Sequence, residues 1–76
     1  MNKTRRGELE SLRDQLEDIR SQIETLRDEE QEYMDNMPES LQSSEKYERA
    51  EEAVSSMDDA MSEIEDAMAS IDSAIE

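Results

Sequence analysis

Apolar residues alternate three and four positions apart along both halves of this 76-residue chain, and the two patterns mirror each other about Ser40. Leu9, Leu12, Leu16, Ile19, Ile23 and Leu26 form the first series; Val54, Met57, Met61, Ile64, Met68, Ile71 and Ile75 form the second. Such spacing keeps one stripe of a helix apolar and is the signature of a coiled-coil seam. Folding the chain back at Ser40 matches Leu9 with Ile71, Leu12 with Met68, Leu16 with Ile64, Ile19 with Met61, Ile23 with Met57 and Leu26 with Val54. Every layer is then apolar on both sides. The pattern predicts an all-α fold: one antiparallel coiled-coil helical hairpin over residues 1–76, self-associating into a four-helix bundle.

Local signals place its parts. Helix one is expected over about 6–35, weakened at its first turn by Gly7. Asn36, Met37 and Pro38 end it, because proline lacks an amide donor and disfavours helical angles in the residue before it. The turn spans 36–44, with a short helical turn beginning near Pro38 and Leu41 placed to cap the core under Met37. Ser43 or Ser44 reads as an N-cap with Glu45 in the first turn, so helix two runs over about 45–75. Near the turn the same register sets Glu30 opposite Ala50 and Tyr33 opposite Tyr47.

The positions beside the seam carry the charge logic. Arg6, Arg13, Arg20 and Arg27 form one flanking row of helix one, and Glu51, Asp58, Glu65 and Asp72 form the matching row of helix two. Doubling back brings Arg27 near Glu51, Arg20 near Asp58, Arg13 near Glu65 and Arg6 near Asp72, which sets orientation more than stability. The arginines also have acids within their own helix, since Glu10, Glu17 and Glu24 each precede one by three residues. On the other flank Ala53, Ala60, Ala67 and Ala74 recur every seven residues and face Glu8, Gln15, Gln22 and Glu29. This row widens the apolar face of helix two beyond what one partner helix covers, and small side chains admit a close neighbour. Ala53, Ala60, Ala67, Ala74, Gln15 and Gln22 are therefore the candidate self-association flank, although alanine is also simply a strong helix former.

Composition excludes more than it names. There is no histidine and no cysteine, so a histidine base, a thiol nucleophile and the common soft metal ligands are absent. The single glycine cannot serve a calcium loop, and no pocket is expected in which carboxylates would separate into acid and base. No cofactor and no enzymatic activity are expected. With 23 acidic and 8 basic residues the net charge is −15, which repels nucleic acid and anionic membranes. No signal peptide or membrane span is legible in the first residues, so the expected setting is cytoplasmic and the expected partners are proteins, beginning with a second copy.

Two further surfaces are candidates. Outward acids, among them Asp14, Asp18, Asp28, Asp59 and Asp66, form rows that a basic groove would accept in place of a phosphate backbone, which makes a nucleic-acid-mimicking inhibitor of a DNA-binding or defence enzyme the alternative reading. The plainer account of those rows is solubility. The turn residues Asn36, Pro38, Glu39, Leu41 and Gln42 are a candidate recognition tip, with capping and helix-end chemistry as the simpler account. Gln42 is the residue that capping explains least.

The segment Asp35-Asn36-Met37-Pro38-Glu39-Ser40-Leu41-Gln42, followed by Ser43, Ser44, Glu45, Tyr47 and Glu48, resembles the turn of small acidic coiled-coil proteins of bacteria and their phages. In that group an Asp-Asn-x-Pro-Glu-x-Leu-Gln turn joins two heptad helices. The resemblance implies a helical hairpin and a phage or prophage origin, and it brings no activity with it. The functional expectation is a non-enzymatic protein-binding module: an adaptor, a scaffold or a small inhibitor.

Overall fold

A computed structural model describes all 76 residues. The chain forms α1 over Lys3–Asp35, a single 3₁₀ turn over Glu39–Leu41 and α2 over Glu45–Ile75. The two helices pack against each other as an antiparallel hairpin, a rod of 59 × 15 × 13 Å with no strand.

Helix α1 starts three residues earlier than the heptad pattern suggests. Asn2 is extended and its side chain accepts a hydrogen bond from the Arg5 amide at 2.8 Å, an N-cap that offsets the weakness of Gly7. Gly7 lies in open space, so nothing there requires a glycine. At the other end the Asn36 amide still reaches the Glu32 carbonyl at 3.0 Å, and the Met37 amide reaches Met34 at 3.1 Å. Pro38, at φ −58°, then turns the chain, and its carbonyl accepts from the Leu41 amide at 2.8 Å. Ser44 is the N-cap of α2: its hydroxyl accepts from the Tyr47 amide and donates to the Leu41 carbonyl. Glu45 and Glu48 sit in the first turn, where the helix dipole favours acids.

Packing between the helices is thin and unevenly distributed. Only Met34, Ala50, Val54 and Met68 are buried, and three of them form one cluster beneath the turn, with Tyr47 against it. Met34 thus occupies the place expected of Glu30, which stays half-buried at the edge. Leu41 is half exposed rather than capping the core.

The larger departure concerns α1 as a whole. Its inward face is made of Leu9, Leu16 and Ile23 together with Arg13, Arg20, Arg27 and Met34, all buried or half-buried. Leu12, Ile19 and Leu26, expected in the seam, are 50, 46 and 56% exposed, and Tyr33, next in the same row, is 48% exposed. Helix α1 is therefore turned about its axis, so that a seven-residue row of leucine and isoleucine leaves the seam and an arginine row replaces it. Helix α2 keeps its register: Ala50, Val54, Met57, Met61, Ile64, Met68 and Ile71 all face α1.

With so little of the hairpin buried, the Met34 cluster carries a large share of its stability. Met34→Ala should destabilise the hairpin by about 2 kcal/mol, the low end for truncating a buried methionine, because the site is close to solvent. Urea unfolding followed by circular dichroism measures this, and an equal loss from Glu30→Ala would contradict the placement of the core.

Candidate interaction surface

One edge of the hairpin is closed by charge. Arg13 donates from Nε to Asp72 at 2.8 Å, Arg20 to Glu65 at 2.6 Å and Arg27 to Asp58 at 2.8 Å. The opposite-charge ladder exists, but each partner lies one heptad further along α2 than the register assigned. Asp58 takes Arg27 and not Arg20, Glu65 takes Arg20 and not Arg13, and Asp72 takes Arg13 and not Arg6.

The cause is side-chain direction: every helical side chain leans toward its own N-terminus. In an antiparallel pair, Arg27 and Glu51 lean away from each other, whereas Arg27 and Asp58 lean together and the long arginine spans the gap. The side chains of Arg13, Arg20 and Arg27 are meanwhile half-buried, as long cationic side chains can be with the charged end still at the edge. Hydrogen bonding to Glu65 and to Asp58 raises the pKa of Arg20 and Arg27 respectively, against a smaller opposing effect of desolvation, so both remain cationic. Arg20 also bonds Glu24 within its own helix at 2.9 Å.

The opposite edge is apolar and has no partner. Tyr33 of α1 and Lys46 of α2 line the same cleft at the tip. Tyr33 continues the Leu12, Ile19, Leu26 row by sevens, and Lys46 begins the row of Ala53, Ala60, Ala67 and Ala74. Helical periodicity therefore puts both rows along this edge. Ala53 and Ala60 are half-buried; Ala67 and Ala74 are exposed. Gln15 and Gln22 are exposed one row further out, flanking the leucines rather than facing the alanines directly. The leucine-isoleucine row is the part of this surface that the heptad reading assigned to the core. Its signal was present in the competing row, since Met34 extends the arginine series by seven and makes a second inward stripe possible.

The surface has room for a partner in area as well as in shape. A compact folded chain of 8.8 kDa exposes roughly 4,800 Å², whereas this one exposes 5647 Å². The surplus of roughly 850 Å² is the size of one side of an ordinary interface.

At the tip, short backbone bonds hold the turn. The Gln42 amide donates to Glu39 at 3.2 Å and the Ser44 amide to Leu41 at 3.0 Å. The Gln42 side chain reaches the Met37 carbonyl at 3.5 Å, which gives that residue a place in the turn itself. Asn36, Met37, Pro38 and Leu41 line the same open cleft, of about 520 Å³, with Tyr33, Ser44 and Lys46; Glu39 and Gln42 stand outside it.

The five acids of the candidate mimic surface are all exposed, but the hairpin does not gather them on one side. With α1 turned, Asp18 lies on its outermost row and Asp14 and Asp28 lie toward the arginine edge, whereas Asp59 and Asp66 occupy an outward row of α2. Asp14 and Asp28 additionally sit 3.9 and 3.5 Å from Arg13 and Arg27. No group of carboxylates converges to hold a metal ion, and no helix is long and apolar enough to cross a membrane. No known family model matches the chain, and no curated protein or solved structure matches it.

A double-mutant cycle between Arg27 and Asp58 should show coupling that fades as salt is added. The corresponding cycle between Arg27 and Glu51 should show none. Coupling of Arg27 to Glu51 instead would return the ladder to the unshifted register.

Proposed function

We propose that this chain is a non-enzymatic, cytoplasmic protein-binding module that works as a homo-oligomer, two hairpins joining along their apolar edges into a four-helix bundle that serves as an adaptor, scaffold or small inhibitor. The observation that carries the reading is the row of Leu12, Ile19 and Leu26, standing half exposed beside the alanines. A contiguous apolar stripe of this length on so small a rod is an interaction surface. A two-helix rod leaves such a stripe wet, and a four-helix bundle encloses it.

Charge supports self-association over a basic partner at this edge. In a chain with 23 acids, the rows flanking the stripe are neutral at Ser11, Gln15, Gln22 and Thr25 on α1 and at Ser56 and Ser70 on α2, with Asp18 and Glu63 the acids among them and Glu8, Glu29 and Glu32 toward the ends. Two copies, each at −15, can approach only where acids are sparse. A basic partner would gain nothing from that neutrality. The turn, which exposes Leu41 and the wall of its cleft, is the element left to meet a different protein. The likeness of that turn to the phage-associated hairpins extends the proposal to a phage or prophage origin.

Light scattering tests the assembly. The unmodified chain should show twice the mass of 8.8 kDa, and Ala60→Glu with Ala67→Glu should leave a helical monomer, because two carboxylates cannot be buried unpaired. An unchanged mass for the variant would remove the apolar edge from the proposal. Capture of a target should then fall at least ten-fold on Leu41→Ser with the dimer intact.

A further inference from the structure

We infer that the occupant of the apolar edge is a second copy running head to tail, with the two-fold axis crossing α1 at Ile19, so that Arg5 of each copy completes the tip cleft of the other. This rests on the self-association proposed above and adds the arrangement, which that proposal leaves open.

Two hairpins stacked edge to edge have two symmetric choices. With tips at the same end, α1 lies on α2 of the other copy and the tips meet. With tips at opposite ends, α1 lies on α1 and α2 on α2. Charge separates the two. The tip end, residues 29–52, holds nine acids and two basic residues, whereas the open end, residues 1–12 with 69–76, holds four acids and three basic residues. Matching tips would stack the two most acidic ends on each other. The head-to-tail arrangement sets each acidic end against a nearly neutral one.

The row along α1 is also self-complementary only in this direction. Reversing it about Ile19 places Leu12 on Leu26, Gln15 beside Gln22, Glu8 beside Glu29 and Arg5 on Tyr33, where the Arg5 charge offsets the Glu8–Glu29 pair and Glu32 lies on its other side. Arg5, Arg6 and Lys3 make no ion pair within the hairpin, and the nearby Asp72 is already held by Arg13. Three cations in the first turn of α1 oppose its own dipole, as do Glu32 and Asp35 in its last turn. Antiparallel pairing of α1 with itself puts each mismatched end against the other. A guanidinium over the open face of Tyr33 adds a cation–π contact.

Residues Lys3–Asp35 are centred on residue 19, so the two copies of α1 overlap along their full length. Only the turns overhang. The assembly is then a rod with one free tip at each end, built to bridge two targets rather than to hold both on one side.

Because the chain has no cysteine, disulfide trapping reads the arrangement directly. A mixture of Gln15→Cys and Gln22→Cys chains should link to each other at least ten-fold faster than either links to itself. In this arrangement like positions lie about 10 Å apart along the axis, beyond disulfide reach. A mixture of Leu26→Cys and Ala53→Cys chains should not link; if it does, the tips share one end and the inference falls while self-association stands. A monomer mass for the unmodified chain ends both. As a second readout free of cysteine, Arg5→Glu should weaken dimerisation at least ten-fold at low salt, and adding Glu29→Arg and Glu32→Arg should restore it. Absence of that rescue would overturn the placement of Arg5.

Discussion

Everything in this hairpin follows from the limited width of a helix–helix contact. Helix α2 offers an apolar face three heptad positions wide, and α1 covers only part of it, because two cylinders touch along a narrow strip. The observed contact favours one edge: the half-buried arginines of α1 reach across to Asp58, Glu65 and Asp72, and the helix turns to bring them there. The opposite edge opens as a direct result. A row of large apolar residues comes out of the seam because a charged row goes in.

Exposed salt bridges contribute little to stability, so the ladder is best understood as fixing rotation and direction. Four buried residues hold the pair together, concentrated beneath the turn and near the far end of α2. The acids also divide by place: dense at the tip and on the outward rows, sparse along the apolar edge. That division leaves one strip of the −15 chain comparatively poor in acids.

Much of the fold was legible because it depends on local rules. Ser44 caps α2 for the reason any serine does before an acidic first turn, and Pro38 ends α1 because it has no amide to donate. The ladder was legible as a pairing of rows and was misplaced by one heptad, since counting positions ignores the direction in which side chains lean. Asn2 was missed as a cap because Gly7 drew the expected helix start inward. The alanine row lies along the open edge. Its true companions, Leu12, Ile19 and Leu26, were hidden in plain view, assigned to a seam they only border.

Periodicity, charge order and the proline turn were sufficient to establish two helices, one reversal and opposite rows of arginine and acid. These depend on which residues lie three, four and seven apart, and that is written in the chain. The rotation of α1 was decided only in three dimensions. Two inward stripes, one leucine-rich and one arginine-rich, fit the same heptads, and choosing between them requires the lean of side chains, the reach of a guanidinium and the breadth of the face opposite. That choice determines whether Leu12, Ile19 and Leu26 form a core or a surface, and with it whether the chain is a finished hairpin or half of a bundle.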